Sequence, residues 1–375
     1  MKLSDKKYFC YELYKNISVR SHNGEIRYEP CSFWQDDPIM TSKDALDIHG
    51  AINSPQRRAT QQAVENDQPL RGCAGCYKEE EHGLVSRRLN TKSNYEDFHK
   101  DTDLTKLTGL DYALGNVCNL KCVICNSQNS SSWNSDWIKL YPTAKDFSYK
   151  KHEQIPIDNL SALRDLTFIH MHGGGEPLLS DAHINLLKSI DDKSQIRLTY
   201  NVNGTVRPSQ EVLELWEQCK LVEVYFSIDD IGERFNYQRT NAKWDDVIEN
   251  IEWYKTNMPH NGMFNINCTW GALNIYYLNQ LVDWKKQYLD TNRFGDPVNL
   301  IFQRATGNTE LTHLNLTAQQ ALLTKFKNYP ELLELVENIS VKDEPLTDFV
   351  DYIHKLDKIR NSSYNNDHQE WAELI

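Results

Sequence analysis

No stretch of this 375-residue chain approaches the ~18 consecutive apolar residues that a membrane-crossing helix needs, so no spanning helix and no membrane partner are expected. Proline and glycine are few, and neither internal repeats nor low-complexity linkers break the chain, which reads as a soluble globular protein. A surplus of positive charge is also missing. The net charge of −12 argues against binding a nucleic-acid polymer, because such binding rests on neutralising phosphates. It leaves room for a nucleotide in a pocket. The opening Met1-Lys2-Leu3-Ser4-Asp5-Lys6-Lys7 lacks the apolar run of a secretory signal, so the cytoplasm is the expected location.

The chain does have nine cysteines, seven of them grouped. Cys118, Cys122 and Cys125 stand in a C-x3-C-x2-C spacing, three thiols within eight residues, just after a strand-like run. Spacing this tight puts thiolates on one loop around a single metal centre. A disulfide framework fits poorly, since it wants an even set and a secretory setting. A closed structural site takes four protein ligands, whereas three leave an open position for a small molecule, as in a reactive iron–sulfur centre. Cys10, Cys31, Cys73 and Cys76 form the second group. A strand at 11–19, an Asn23-Gly24 turn and a returning strand at 25–28 bring Cys10 and Cys31 to the open ends of a hairpin. Arg71-Gly72-Cys73-Ala74-Gly75-Cys76 adds a C-x2-C knuckle whose glycines allow a tight turn. These four thiols complete a first shell for zinc or for a [4Fe–4S] cluster, and the residues alone do not separate the two. Cys219 and Cys268 stand apart and read as small buried hydrophobes.

The texture changes at about residue 111. Strands are expected at 111–115, 166–170, 195–201, 221–228, 263–269 and 298–302. Helices are expected between and after them at 131–140, 181–190, 209–218, 244–258, 275–288 and 317–328. Six β-α units imply a parallel α/β sheet, either an open twisted layer or a full or partial barrel. In each case ligands gather at the C-terminal ends of the strands, where the three-thiol loop lies. The second strand runs into His170-Met171-His172-Gly173-Gly174-Gly175-Glu176-Pro177, whose glycines permit close backbone approach to a ligand. His170 and His172 sit at i and i+2, open to metal ligation but better read as packed or hydrogen-bonding side chains. The third strand ends in the polar Asn201-Val202-Asn203-Gly204-Thr205. The fourth ends in Ser227-Ile228-Asp229-Asp230 with Arg239 beyond, a set suited to a ribose diol and a carboxylate or else an ordinary polar loop. In the fifth strand Asn265, Asn267 and Thr269 alternate with apolar residues, which suggests a polar lumen, and the sixth delivers Gln303 and Arg304 to the rim. Further helices are expected at 311–328, 332–339 and 349–360, then a polar tail with Trp371 as an anchor.

Together, Cys118-x3-Cys122-x2-Cys125 after the first strand and Gly174-Gly175-Glu176-Pro177 after the second resemble the radical S-adenosylmethionine (radical SAM) superfamily. The resemblance implies a partial (β/α)6 TIM-like barrel over 106–310 and a C-terminal helical extension over 311–375. It also implies a [4Fe–4S] cluster held by Cys118, Cys122 and Cys125, with S-adenosylmethionine on its open iron. Carried over by position, Gly174, Gly175 and Glu176 would meet the methionyl amino group. Asn203, Ser227, Asp229 and Arg239 would lie along the ribose and carboxylate. Ile124 would face adenine where many members place an aromatic residue. The first 105 residues are similar to the twitch or SPASM auxiliary-cluster module, a small α+β unit here preceding the barrel. That likeness implies one auxiliary [4Fe–4S] cluster on Cys10, Cys31, Cys73 and Cys76, and no later cysteines remain for another.

The function expected from the resemblance is reductive cleavage of S-adenosylmethionine and hydrogen abstraction from a substrate. An oxidative or bond-forming change on a peptide or protein would follow, assisted by the auxiliary cluster and fed by a reductant such as flavodoxin or ferredoxin. The alternative is a dehydrogenase or rearrangement enzyme for a small sugar, alcohol or nucleotide. A non-catalytic iron–sulfur or zinc-binding protein is the reading from another class, and it leaves the three-thiol site with its glycine-lined rim unexplained.

Overall fold

The computed structural model describes residues 3–22, 25–43, 45–81, 85–98, 103–113, 115–143, 163–172, 174–292 and 294–375. Among them are strands β1 (Asn16–His22), β2 (Glu25–Glu29), β3 (Met40–Ser42), β4 (Gly109–Ala113), β5 (Phe168–Met171), β6 (Arg197–Val202), β7 (Leu221–Ser227), β8 (Gly262–Trp270) and β9 (Leu300–Arg304). Helices alternate with them from β4 onward, so the α/β class expected from the sequence is the observed one. The chain divides into two compact units, one of Met1–Asn116, Ser148–Tyr200 and Ser209–Val222, the other of Val117–Phe147, Asn201–Pro208 and Glu223–Ile375. Among the described residues no helix is long and apolar enough to cross a membrane.

In the first unit the strand order is β3-β2-β1-β4-β5-β6. The β1–β2 and β2–β3 pairs are antiparallel, while the β1–β4, β4–β5 and β5–β6 pairs are parallel. The N-terminal segment therefore shares a sheet with the strand that precedes the central cysteines, with Asn16 beside Gly109 and Arg20 beside Ala113. Successive side chains alternate between faces. Ile17, Val19, Leu110, Tyr112, Ile169, Met171, Leu198 and Tyr200 form one buried apolar face. Helix Gln210–Glu217 packs there, with the Trp216 ring 5.2 Å from that of Tyr200. The opposite face is polar, and the register sets Ser18, Asp111, His170 and Thr199 in one row across four strands.

The strand expected from Tyr11 begins only at Asn16, because Glu12–Lys15 is a helical turn. Its cause is tertiary. Buried Arg57, on helix Pro55–Glu65, donates to the Tyr14 and Asn16 carbonyls at 2.9 Å, and Gln61 Nε2 donates to the Leu13 carbonyl at 3.0 Å. Donors aimed at those carbonyls outweigh the strand preference of Tyr11 and Tyr14. The expected Asn23-Gly24 turn lies outside the described residues.

In the second unit β7, β8 and β9 follow one another, with β8 and β9 parallel. Phe226 of β7 packs edge-on against Tyr254 at 5.0 Å and Phe264 at 5.8 Å, which joins the strands to helix Trp244–Asn257. Asn265 accepts from the Asn299 backbone N–H at 3.0 Å. The sixth strand of the barrel series is shifted two residues later than expected, so Gln303 and Arg304 lie within β9. Towards the C-terminus, helices Leu316–Lys325, Pro330–Glu337 and Thr347–Arg360 follow the expected order. Residues 311–315, expected to be helical, are not. The segment expected as a polar tail carries another helix, Tyr364–Ala372, because Trp371 is fully buried and donates to the Ala272 carbonyl at 2.7 Å.

Candidate functional site

The loop bearing Cys118, Cys122 and Cys125 belongs to the second unit and is fixed by hydrogen bonds rather than by regular structure. Lys121 N–H donates to the Thr240 carbonyl at 3.1 Å, and Val123 N–H to the Gln238 carbonyl at 2.7 Å. A turn closes from Cys125 N–H to the Cys122 carbonyl at 3.0 Å. The serines before helix Asn134–Leu140 reach back to the loop, Ser132 Oγ to the Cys118 carbonyl at 2.7 Å and Ser130 Oγ to that of Leu120 at 2.5 Å. Buried Trp133 donates its indole N–H to the Cys122 carbonyl at 2.8 Å.

Burial pushes the Cys122 thiol up to about 11 and the Cys125 thiol up to about 12, with the neighbouring cysteines adding to the penalty on each thiolate. Arg239 opposes this, with Nη1 3.9 Å from Cys122 Sγ. Three soft donors held on one loop fit a metal–sulfur centre, whose metal ions would supply the positive charge that the buried Cys122 and Cys125 thiolates lack. Cys118 Sγ accepts from Leu120 N–H at 3.4 Å, and Asn203 Nδ2 lies 3.9 Å from it.

The structure also gives the other expected residues definite places. Asn203 ties the loop down, donating to Asn119 Oδ1 at 2.9 Å while its own Oδ1 accepts from Thr205 N–H at 2.9 Å. Ser227 ends β7. Asp229 and Arg239, both buried, pair with each other at 2.8 Å, and Asp229 also accepts from Thr269 N–H at 2.8 Å. Burial raises the Asp229 carboxyl and Arg239 counters the rise. Ile124 is half-buried between Val123, which is buried, and Cys125. Cys219 and Cys268 are buried, and their thiols donate to the Leu215 carbonyl at 3.6 Å and the Asp229 carbonyl at 3.8 Å.

The glycine turn belongs to the first unit. Gly174 and Gly175 have φ of 99° and 91°, conformations that a side chain rarely allows. A Cβ on Gly174 would also come within 2.8 Å of the Gly115 carbonyl oxygen. Buried Glu176 caps the following turn by accepting from Leu178 N–H at 3.2 Å. Gly173 lies outside the described residues. His170 Nδ1 is 3.3 Å from Asp111 Oδ1, and its ring stacks on that of His172 at 4.6 Å. One donor atom each from Asp111, His170 and His172 lies within 4.8 Å of the others. Arg87 already places a cation 3.4 Å from Asp111 Oδ2, which favours the hydrogen-bonding reading of the histidines over metal ligation. Burial opposes ionisation of Asp111, yet the His170 hydrogen bond and Arg87 hold its carboxyl well below the usual range. Burial brings His172 down to about 3.

In the same unit Cys10, Cys31, Cys73 and Cys76 line one cavity, with Glu12, Arg87 and Arg88 in its wall. Cys10 precedes the helical turn, Cys31 follows β2, and Cys73 and Cys76 span the start of helix Ala74–Glu81. Gly72 is required for packing, since a Cβ there would sit 2.4 Å from the Trp34 ring. Burial raises all four thiols, that of Cys73 to about 11. Arg87 pairs with Glu12 at 3.2 Å, and Arg88 pairs with Glu80 and donates to the Phe9 carbonyl at 3.0 Å. Four soft donors and two guanidinium groups around one cavity suit an anionic metal–sulfur cluster. Arg87-Arg88 lies eleven residues beyond Cys76 in the sequence and Glu12 two beyond Cys10, and nothing local gives either its place in the wall.

The family model described as the radical SAM superfamily matches residues 112–268, the stretch that holds the three-thiol loop, the glycine turn and the Asp229–Arg239 pair. The chain carries a radical SAM domain. No curated protein matches it. Among solved structures, the chain is similar to Streptococcus suis SuiB at 15% identity, over 90% of this chain and 73% of that one, with a TM-score of 0.37. It is similar to native anSMEcpe with bound AdoMet at 16% identity, over 62% of this chain and 64% of that one, with a TM-score of 0.36. A third similar structure is TYW1 with a lysine-pyruvate adduct bound, at 13% identity, over 60% of this chain and 70% of that one, with a TM-score of 0.33. The chain spans 64% of the length of the first of the anSMEcpe structures that it resembles.

Proposed function

We propose that this radical SAM enzyme cleaves S-adenosylmethionine reductively and uses the resulting radical to abstract hydrogen from a peptide or protein, completing an oxidative or bond-forming change with a second cluster. The observation that carries the reading is the placement of three thiols on one hydrogen-bonded loop within the matched domain. A [4Fe–4S] cluster on Cys118, Cys122 and Cys125, with S-adenosylmethionine at its open iron, would supply the electron that splits the sulfonium into methionine and a 5′-deoxyadenosyl radical. The protein's part is to hold that chemistry in place. Trp133, Ser132 and Asn203 fix the loop, and Arg239 sets a positive charge beside Cys122. Gly174 and Gly175 offer bare backbone for a ligand amino group, and Ser227 a hydroxyl for the ribose. Cys10, Cys31, Cys73 and Cys76 are the ligands proposed for the auxiliary [4Fe–4S] cluster, supported by their common cavity. A peptide or protein is the substrate class proposed here, and a small sugar, alcohol or nucleotide is the alternative that the likeness to the SPASM and twitch modules also admits. One of the similar structures is SuiB bound to precursor peptide SuiA.

Anaerobically reconstituted protein should hold about eight iron and eight sulfide per chain, as two four-iron clusters require. Replacing Cys118, Cys122 and Cys125 by Ala should abolish formation of 5′-deoxyadenosine from S-adenosylmethionine under dithionite. Cleavage that survives the triple replacement would refute the central assignment.

A further inference from the structure

The C-terminal helix Thr347–Arg360 touches the cysteine loop in a way that nothing in its sequence announced. Buried Tyr352 donates its hydroxyl to the Val123 carbonyl at 2.8 Å, on the residue that follows Cys122. Eight residues on, the Arg360 side chain lies on the loop's other support. Its Nε donates to Asp136 Oδ2 at 2.8 Å, and its Nη1 donates to Thr240 Oγ1 at 3.0 Å. Its guanidinium lies 4.6 Å from the centre of the Trp133 ring. Each partner is already bound to the loop. Asp136 pairs with Lys121 at 3.1 Å, the Thr240 carbonyl accepts from Lys121 N–H at 3.1 Å, and Trp133 donates to the Cys122 carbonyl at 2.8 Å. Arg360 thus locks three supports of one loop, and Tyr352 holds the carbonyl between the second and third cysteines.

We propose that Tyr352 and Arg360 are positioning residues for the central cluster, so that the C-terminal helix is a working part of the radical site. The inference rests on the assignment of the cluster to Cys118, Cys122 and Cys125. A buried hydroxyl-to-carbonyl bond and a buried ion pair restrain geometry strongly, because leaving either partner unpaired in the interior is costly. With the Cys122–Cys125 segment restrained, the thiolates keep their spacing when the open iron exchanges ligands. Loss of the restraint would show first as loss of iron.

The test uses full-length, anaerobically reconstituted Tyr352→Phe and Arg360→Gln proteins, with Lys355→Ala on the exposed side of the same helix as control. The auxiliary ligands Cys10, Cys31, Cys73 and Cys76 are replaced by Ala in all of them, so that only central iron is read. Iron release to a ferrous chelator should speed up at least threefold in both variants and stay unchanged in Lys355→Ala. The electron paramagnetic resonance signal of the reduced cluster with S-adenosylmethionine should broaden in both. Melting is then compared in protein that also lacks Cys118, Cys122 and Cys125. If Tyr352→Phe lowers cluster-free melting as much as it speeds iron loss, or if iron loss is unchanged, the positioning role is overturned. A parent protein that binds iron with no signal change on adding S-adenosylmethionine would overturn the proposed function, and the positioning role with it.

Discussion

The two cysteine sites are assembled in opposite ways. The central three come from one loop of eight residues, held by hydrogen bonds to its own carbonyls and amides. The N-terminal four come from the segment before a helical turn, the segment after a strand and the start of a second helix, and they meet only around a cavity that Arg87 and Arg88 help to wall. Spacing alone announces the first kind of site. The second kind exists only once the surrounding structure does, and its failure modes are correspondingly remote from its ligands.

The strongest way to break the comparison is to remove one site and watch the other. Replacing Cys10, Cys31, Cys73 and Cys76 by Ala should halve the reconstituted iron to about four per chain and leave 5′-deoxyadenosine formation intact. Loss of cleavage in that protein would mean that the two sites are not independent. Stoichiometric zinc at those four positions in the parent protein would instead replace the auxiliary cluster by a structural metal.

A subtler break leaves every cysteine in place. Arg57→Leu removes the donors that hold the Glu12–Lys15 turn and strands two buried carbonyls, which should cost on the order of 2 kcal/mol. Iron at the N-terminal site should then fall while central iron is kept, measured by the loss of iron in parallel proteins lacking one or the other cysteine set. Equal loss at both sites would show general unfolding. The smallest effect is expected at the central loop itself. Asn203→Ala removes the bond to Asn119 Oδ1, one of several ties, and should cost about 1 kcal/mol by thermal melting. A larger drop would show that the loop is less redundantly held than its hydrogen bonds indicate.

The same contrast explains what could be read from the sequence. The parallel succession of strands and helices was legible because alternating apolar runs and helical periodicity are local signals. Helix Gln210–Glu217 even shows its cap, with Ser209 Oγ accepting from Val212 N–H at 3.3 Å. The C-x3-C-x2-C loop was legible for the same reason. The turn at Glu12–Lys15 was not, because the donors that make it helical come from another helix. Nor was the mutual pairing of Asp229 and Arg239, each of which looked free to meet a ligand. Tyr352 reaches a carbonyl 229 positions earlier in the chain, and Arg360 a carboxylate 224 positions earlier, separations at which no spacing carries information.

The parallel pairing of β1 with β4 also bears on how the protein comes into being. Asn16 Nδ2 donates to Asp111 Oδ2 at 3.0 Å across a sequence gap of 95 residues, so the sheet edge that carries the N-terminal cysteines closes only after a long loop has been drawn together. Such closure is slow compared with the folding of short segments, since the entropy of the intervening chain must be given up before any contact rewards it. The eight-residue loop gathers its three thiols locally, yet its supports at Gln238, Thr240, Tyr352 and Arg360 wait on closures that are longer still. Topology thus ties the shaping of both centres to late closures, and only the N-terminal one also needs them to bring its ligands together.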